Sequence, residues 1–415
     1  MTGNTLRLPL RMLTPLALAA PLTLTASLAL TAGPASASAS PSVINASLND
    51  VACTSTTHCM AVGWFLGQIP GTSGFQAFPL AEQWNGSTWT VLHTPAVKHP
   101  GGGELLSAVS CPSSTSCMAV GQTQVESTGG FTTLHPFAES WNGTTWQIVP
   151  TPTLTHSGAS LNGVACTAAT ACMAVGNEGT PKNSTLFTLA EQWNGTAWKF
   201  VSTPPPLTPG GTALSTVSCT SPGACMAVGY YGFNNGTGTS VTLAEEWNGS
   251  TWRQRTTPTP GRSGTLGGVA CTAASACLAV GAHFRPTGNL VNATLAEQWN
   301  GTGWKVAPSP NPAGAGAAGL GRISCTGPTA CMAVGGGVDQ TGESGFNVAE
   351  QWNGTSWHLL RTPNPGATSN ELRGVSCTSP SSCMAAGDFT GIGNEMTLAE
   401  QWNGTRWSVV KTPRP

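Results

Sequence analysis

The cysteines are the residues whose spacing points most directly to chemistry. All fourteen fall into seven pairs, with five residues between the two members of each pair. Two cysteines that face each other across a hairpin can meet the Cα separation of about 5.5 Å that a disulfide prefers. Structural zinc instead takes cysteines two to four residues apart together with further ligands. We therefore predict seven local disulfides, no metal site and no cofactor. The pairs are Cys53/Cys59, Cys111/Cys117, Cys166/Cys172, Cys219/Cys225, Cys271/Cys277, Cys325/Cys331 and Cys377/Cys383.

The other reactive side chains form no recognisable catalytic arrangement. No two of the seven histidines stand at metal-ligand spacing, and the chain has only two tyrosines. An enzyme is therefore a secondary hypothesis. The histidines are His58, His93, His99, His135, His156, His283 and His358.

The cysteine pairs are part of a longer repeat. A pair of tryptophans, with four residues between them, follows each cysteine pair, as Trp84 and Trp89 follow Cys59. Each copy reads as four short strands with a turn between the cysteines and an Asn-Gly turn between the tryptophans, for which we predict type I′ geometry. A period of about 40–50 residues with four strands per copy is typical of a β-propeller blade.

These features predict an all-β protein, a seven-bladed β-propeller with four antiparallel strands per blade. Small residues in the first two strands suit positions near the axis, and the tryptophans suit the rim. The predicted repeats, one to seven in chain order, cover residues 44–100, 101–153, 154–208, 209–260, 261–312, 313–365 and 366–415 of a propeller spanning 40–415.

A glutamate stands two residues before the first tryptophan of every copy. No basic residue recurs with the same period, which argues against a repeated salt bridge. One interpretation is structural: the carboxylate accepts bonds from backbone amides or from an indole N–H of the next blade. The alternative is a ring of cation sites, which we consider the weaker hypothesis because the third strand does not line the central channel. The residues are Glu82, Glu139, Glu191, Glu245, Glu297, Glu350 and Glu400.

The first 39 residues have the features of a signal peptide. Arg7 and Arg11 precede an uncharged stretch from Met12 to Ala32, and small residues follow at possible cleavage sites. We expect cleavage, a secreted protein, and no membrane insertion afterwards. Sixteen basic and seventeen acidic residues leave a net charge of −1, which argues against a nucleic-acid partner.

The repeat resembles known propeller families. Ala61-Val62-Gly63, the aromatic residue that ends strand three and the tryptophan that opens strand four resemble a kelch blade. The Asn-Gly-x-x-Trp corner is similar to the end of an Asp-box of sialidase-type propellers, although Trp84 stands where the aspartate should be. The whole unit is most similar to uncharacterised secreted repeat proteins of actinobacteria. The resemblance implies an architecture and not an activity, because propellers host many unrelated functions.

Departures from the repeat indicate where a ligand would bind. The loop between strands two and three varies from copy to copy, and variable aromatic loops on a rigid scaffold often form binding surfaces. The alternative is that they are uneven loops tolerated by a stable ring. The candidate ligand-binding residues are Trp64, Tyr230, Tyr231, His283, Phe284, Arg285 and Asp339.

The main functional hypothesis is a monomeric secreted module that binds a carbohydrate or an extracellular or cell-envelope protein. The alternatives are an extracellular hydrolase or lyase with its site on the same loops, and a structural protein of the cell envelope.

The disulfide assignment predicts a mass change. Reduction of the exported protein should add 14 hydrogens, two for each of the seven cysteine pairs. Intact mass spectrometry with and without reductant measures this, and a thiol that titrates in the native protein would contradict the full set.

Overall fold

The computed structural model describes residues 43–69, 72–95, 102–126, 132–152, 154, 158–179, 185–205, 211–232, 239–261, 263–285, 292–391 and 393–415. The predicted signal peptide lies outside these residues. No helix in the described ranges is long and apolar enough to cross a membrane. The regular elements are all strands: β1 (Asn45–Ser55), β2 (His58–Gln68), β3 (Phe75–Trp84), β4 (Trp89–Leu92), β5 (Gly103–Ser113), β6 (Ser116–Glu126), β7 (Thr132–Trp141), β8 (Trp146–Ile148), β9 (Ala159–Ala168), β10 (Ala171–Gly179), β11 (Leu186–Trp193), β12 (Trp198–Phe200), β13 (Thr212–Ser221), β14 (Ala224–Gly232), β15 (Ser240–Trp247), β16 (Trp252–Arg255), β17 (Gly264–Ala273), β18 (Ala276–Phe284), β19 (Asn292–Trp299), β20 (Trp304–Val306), β21 (Ala315–Gly327), β22 (Ala330–Asp339), β23 (Gly345–Trp352), β24 (Trp357–Leu360), β25 (Asn370–Ser379), β26 (Ser382–Thr390), β27 (Glu395–Trp402) and β28 (Trp407–Val410).

Each repeat folds into four consecutive antiparallel strands, as the sequence predicts. In repeat one, Cys53 lies opposite Cys59, Cys59 opposite Trp84, and Trp84 opposite Trp89. A disulfide and a tryptophan pair therefore form one row across the sheet. The paired indoles of the seven repeats lie 5.6–5.8 Å apart between ring centroids.

All seven predicted disulfides are present. Their Cα atoms lie 3.9–4.0 Å apart, closer than the separation of about 5.5 Å expected from the sequence, because the two cysteines stand directly opposite each other in adjacent strands. The bonds join Cys53 to Cys59, Cys111 to Cys117, Cys166 to Cys172, Cys219 to Cys225, Cys271 to Cys277, Cys325 to Cys331 and Cys377 to Cys383.

Among the described residues the hydrogen-bonded sheets number six, not the seven that the prediction of a seven-bladed propeller with four strands per blade requires. Repeats five and six share one eight-stranded sheet, joined by a single parallel bridge between Asn292 and Ala317. β21 begins with Ala315-Gly316-Ala317, whose small side chains let its backbone approach β19. The other five repeats each form a separate four-stranded sheet.

The first strands of the repeats form a closed circle. Each first strand packs against the first strand of the next repeat, and β1 packs against β25. The closing junction uses the same bond as three internal ones: Cys53 N donates to Ser376 Oγ at 2.9 Å, as Cys166 N does to Ser110 Oγ. Antiparallel sheets whose first strands surround one axis define a β-propeller fold.

The first two strands of each repeat approach each other closely, and this explains why the second strand of every repeat carries a glycine at the same position. A Cβ at this position would lie 1.9–2.1 Å from a backbone carbonyl oxygen of the first strand, closer than any contact allows. Beside this point each first strand carries a β-bulge, such as Asn49 in β1. The glycines are Gly63, Gly121, Gly176, Gly229, Gly281, Gly335 and Gly387.

The core is divided among the junctions between neighbouring repeats. In one cluster Met60 and Val62 of repeat one pack against Leu106 and Val109 of repeat two. In the closing cluster Ala46 and Leu48 of repeat one pack with Met384 and Ala386 of repeat seven. Each sheet thus buries its two faces against two different neighbours.

The Asn-Gly turns differ from the predicted two-residue type I′ turn. In repeat one, Trp84 and Trp89 are the last residues that stand opposite each other, and four residues lie between them. The Asn85 side chain organises this loop, because its Oδ1 accepts the backbone N–H groups of Ser87 and Thr88, both at 2.9 Å. Gly86 has φ of 97°, in the left-handed region that favours glycine. The asparagine side chain closes this loop of four residues.

A substitution in the second strand tests the close approach at the axis. Gly281→Ala places a Cβ 1.9 Å from the Thr265 carbonyl oxygen, so we expect it to destabilise the protein by about 3 kcal/mol. Gly303→Ala is the control, because a Cβ there meets nothing within 4 Å. Chemical denaturation measures both, and equal stability of the two variants would contradict this account.

Candidate functional site

The two faces of the propeller differ in how much their residues vary from repeat to repeat. The lower face, defined by the disulfides and the Asn-Gly loops, repeats nearly the same residues seven times. The upper face is defined by the ends of the second strands and the starts of the third. The position after the second-strand glycine differs widely there: Trp64, Gln122, Asn177, Tyr230, Ala282, Gly336 and Asp388.

The disulfide cysteines belong to the core and offer little surface to a ligand. The first cysteine of each pair is half-buried. The second is buried, with 2–5% exposure, and packs in a core cluster with the tryptophans of its own repeat. These bonds therefore stabilise the scaffold and are not part of the candidate binding surface. The buried second cysteines are Cys59, Cys117, Cys172, Cys225, Cys277, Cys331 and Cys383.

The predicted aromatic residues lie at the upper face in unequal environments. Trp64 and Tyr230 are half-buried, in β2 and β14. Tyr231 packs against the core cluster between repeats three and four. Phe284 is 36% exposed. Phe233, which belongs to the same loop as the tyrosines, lies outside the described residues.

The predicted polar residues also differ. His283 stands opposite Gly264, and partial burial together with the neighbouring Arg285 lowers its pKa. The Oδ1 of Asp339 accepts the backbone N–H of Thr341 at 3.0 Å and of Gly342 at 2.9 Å. The Thr341 hydroxyl and these backbone bonds lower the pKa of Asp339. The carboxylate of Asp339 therefore stabilises the turn in which it lies.

The candidate residues spread around the upper face, because they come from repeats one, four, five and six. Residues of repeats five, six and seven line a groove of about 320 Å³ at this face, but His283 and Asp339 are not among them. It exists because repeats five and six carry Ala282 and Gly336 where repeats one and four carry Trp64 and Tyr230. We call it the upper-face groove; its lining is Ala282, Asn292, Ala317, Ala318, Gly319, Gly336, Gly337, Val338, Gly345, Ser369, Asn370 and Glu371.

A charged cluster lies at one end of the groove. Arg373 Nε donates to Asp388 Oδ1 at 2.5 Å, and its guanidinium lies 2.7 Å from Glu371. Asp388 also accepts the Ser47 hydroxyl of repeat one at 2.8 Å. Burial and the nearby Asp388 carboxylate raise the pKa of Glu395 to about 7. Glu371, Arg373 and Glu395 occupy positions that follow no repeat pattern, so the sequence analysis does not identify this cluster.

A larger cavity of about 710 Å³ lies at the outer junction of repeats seven and one. Its lining includes Val43, Phe389, Met396 and Val410, and Glu395 of the charged cluster also borders it. The cluster thus separates two spaces, with Glu371 on the groove side and Glu395 on the cavity side.

A second charged pair occupies the axis. Arg322 of repeat six donates from Nη1 to the Gly267 carbonyl of repeat five at 3.0 Å and from Nη2 to the Asn162 carbonyl of repeat three at 3.4 Å. Asp50 of repeat one accepts the Val109 backbone N–H at 3.1 Å. Burial raises the pKa of Asp50, and Arg322 opposes this shift. The Arg322 side chain therefore spans the centre of the ring.

The recurring glutamates are almost completely buried, with 0–2% exposure. Burial raises the pKa of six of them to about 8 and that of Glu350 to about 7. The expected partners, backbone amides and indoles, are not the ones found in the described structure. Ser309 Oγ lies 2.8 Å from Glu350, and Asn347 Nδ2 donates to Glu400 at 2.9 Å, each from the preceding repeat or its connection. No described group of three or more His, Cys, Asp or Glu residues is arranged to hold a metal.

The fourth strand covers these carboxyl groups. Val91 lies directly opposite Glu82, and Val409 opposite Glu400, with nearly half of each valine facing solvent. Six of the seven repeats carry an apolar residue at this position. Removing water from around the carboxyl group favours its neutral form.

Comparison with known proteins gives remote structural similarities and leaves the function open. No family model matches the chain, and no curated protein does. An acylaminoacyl peptidase is 8% identical with a TM-score of 0.51, over 88% of this chain and 52% of that one. A protein of unknown function from Dyadobacter fermentans is 9% identical with a TM-score of 0.49, over 87% and 95%. The β-propeller domain of the trilobed protease from Pyrococcus furiosus is 7% identical with a TM-score of 0.48, over 89% and 100%.

The buried glutamates predict a pH-dependent stability. Their pKa of about 8 in the fold exceeds the ordinary 4.5, so the folded protein retains these protons when the unfolded chain has lost them. The free energy of unfolding should therefore fall as the pH rises from about 4.5 to about 8.

Thermal unfolding followed across this range measures the slope. We expect the midpoint to be higher at the acidic end and Glu297→Gln to reduce the slope. Glu343→Gln, at an exposed loop position, is the control. A midpoint that rises with pH over the same range would contradict the assignment.

Proposed function

We propose that this protein is a secreted, disulfide-stabilised, seven-bladed β-propeller that binds its ligand, a carbohydrate or a cell-envelope protein, on the upper face. The observation that carries the proposal is the contrast between the faces. The lower face presents nearly the same surface seven times, whereas the upper face combines unmatched side chains with a groove. Only a surface that differs from blade to blade can select one ligand in one orientation.

The blade count follows the repeats. Each repeat supplies four strands, and the one sheet that contains two repeats is held together by a single bridge. Counting one blade for each repeat gives seven.

Two features support export. Seven disulfides persist only in an oxidising environment. The first 39 residues have the composition of a signal peptide.

One observation favours the alternative that the protein is a hydrolase: several carboxyl groups lie around Arg373. A glycosidase uses two carboxyl groups on opposite sides of one bond. Here Glu371 borders the groove and Glu395 borders the separate cavity, while Asp388 is buried and bonded to Arg373 and Ser47. The carboxyl groups do not converge on one space, so binding is the better-supported function.

The test is a screen followed by substitutions. The mature protein is presented to a glycan array and to a panel of cell-envelope proteins. Trp64→Ala, Tyr230→Ala and Phe284→Ala should each weaken the ligand found, because truncating a contact aromatic costs about 1–2 kcal/mol or more at a hot spot. For Tyr231, which packs against the core, Tyr231→Phe preserves the packing.

Lower-face variants are the matched controls. Lys199→Ala and Arg406→Ala change charged residues beside the tryptophan pairs and should leave affinity unchanged. Unchanged affinity in all the upper-face variants, with weakening by the lower-face variants, would move the site to the other face.

A further inference from the structure

We propose that the cavity between repeats seven and one binds a free amphipathic carboxylate, that is, an alkyl chain with one anionic head group. The cavity has a volume of about 710 Å³, and we call it the junction cavity. The inference is independent of ligand binding on the upper face, because none of the candidate residues of that face lines this cavity.

The junction cavity lies where ring closure, rather than the chain itself, brings two repeats together. At an internal junction the chain crosses from one repeat to the next, and Leu154 on such a crossing packs against the core cluster between repeats two and three. Asn364 on another crossing accepts the Asn347 backbone N–H at its Oδ1, at 2.7 Å. In repeat seven Arg414 takes the position of Asn364, and its side chain has no acceptor. At the closing junction the described residues leave a space instead.

The lining of the junction cavity is mainly apolar. Ten of its sixteen lining residues are apolar, and its volume is within the range of about 300–1,000 Å³ for ligand pockets. Val43, Phe389 and Met396 are half-buried, so each still presents apolar surface to a ligand. Covering that surface with an alkyl chain is favourable in proportion to the apolar area removed from water.

Two cations distinguish this lining from a purely apolar one. Lys411 and Arg414 line the cavity and are exposed, so both are available to an anionic head group at its edge. Among the lining residues, Glu395 carries the one carboxyl side chain. The charge of the lining therefore complements an anion, provided that the Glu395 carboxyl group does not oppose it.

The surroundings of Glu395 favour its neutral form at mildly acidic pH. Burial and the nearby Asp388 carboxylate raise the pKa of Glu395 to about 7. Arg373 opposes this shift, but its guanidinium is bonded to Asp388 and paired with Glu371. Below pH 7 the two cations of the lining therefore outweigh the Glu395 carboxyl group.

Calorimetric titration of the mature protein with decanoate, decan-1-ol and decylammonium tests the inference. We expect decanoate to bind, decanol to bind more weakly and decylammonium not to bind. Octanoate should bind about tenfold more weakly than decanoate, because a fully buried methylene contributes about fourfold. Equal binding of decanoate and decanol would mean that apolar burial alone fills the cavity. That result, binding of decylammonium, or no binding at all would overturn the inference.

Substitutions in the lining locate the bound decanoate. Lys411→Gln and Arg414→Gln should each weaken decanoate about fivefold and leave decanol unchanged. Met396→Trp fills the cavity and should weaken both ligands. Thermal unfolding of every variant checks the fold, and Lys411→Gln decides the question if Met396→Trp does not fold.

Two variants elsewhere are matched controls. Arg361→Gln removes the cation at the position of repeat six that corresponds to Lys411, and Val241→Trp makes the same enlargement at the position of repeat four that corresponds to Met396. Both should leave affinity for decanoate unchanged. If Arg361→Gln weakens decanoate as much as Lys411→Gln does, the attraction is general and the inference is wrong.

The pH dependence of binding tests the part played by Glu395. Decanoate should bind more tightly at pH 6 than at pH 8, because Glu395 gains its negative charge over this interval. Glu395→Gln should bind decanoate equally at the two pH values. Tighter binding at pH 8 would contradict the charge argument.

Two measurements distinguish other occupants. We expect no cosedimentation with phosphatidylglycerol vesicles, and light scattering should show a monomer at every concentration. Retention on vesicles without decanoate binding would assign the site to a membrane surface, and a dimer dissociated by Met396→Trp would assign it to a second copy. Either result would overturn the inference. Trp64→Ala should leave decanoate affinity unchanged, so this outcome is separate from that of the upper-face proposal.

Discussion

Seven inner strands share one axis, and the lack of space there determines much of the sequence. Each second strand needs glycine where the first strand passes within van der Waals contact. Each first strand is bulged at the same level, and small residues such as Gly163, Gly268 and Gly374 face the crowded junctions. The Arg322 side chain then fills the centre and bonds to carbonyls of two other repeats. The closing junction repeats the Cys-to-Ser bond of the internal junctions, so the ring closes through the geometry by which it is built.

The blades widen with distance from the axis. At its lower end, each blade is held by a row of covalent and aromatic contacts that runs from the first strand to the fourth. A disulfide, a second cysteine opposite a tryptophan and a tryptophan pair form one rigid row in each sheet. Burial of the second cysteine ties this row to the core, as Cys117 and Cys383 show in repeats two and seven. The upper ends carry no such row, so their side chains are free to differ without loss of the scaffold.

The space between sheets also holds seven of the seventeen acidic residues of the protein. Seven carboxyl groups lie between blades, covered on the outside by apolar residues of the fourth strand such as Val91 and Val409. Their raised pKa values make them neutral polar groups over much of the pH range rather than charges. Three further carboxyl groups, Glu371, Asp388 and Glu395, lie together around Arg373 on the upper face.

The sequence by itself determined the repeat, the disulfide pairing and the four antiparallel strands, because these depend on residues close together in the chain. Cys53 and Cys59, or Trp84 and Trp89, meet within one hairpin, and their spacing is sufficient to predict the contact. Only the tertiary structure decided which repeats share a sheet, what the buried glutamates contact and where the groove lies. The groove arises because Ala282 and Gly336 have small side chains or none where other repeats carry large ones, and because residues of three different repeats line it.

The charged cluster shows the same limit most clearly. It joins Ser47 to Asp388, 341 positions apart, because ring closure brings the first and last blades together. No local pattern encodes such a contact, since it depends on the curvature accumulated over all seven repeats.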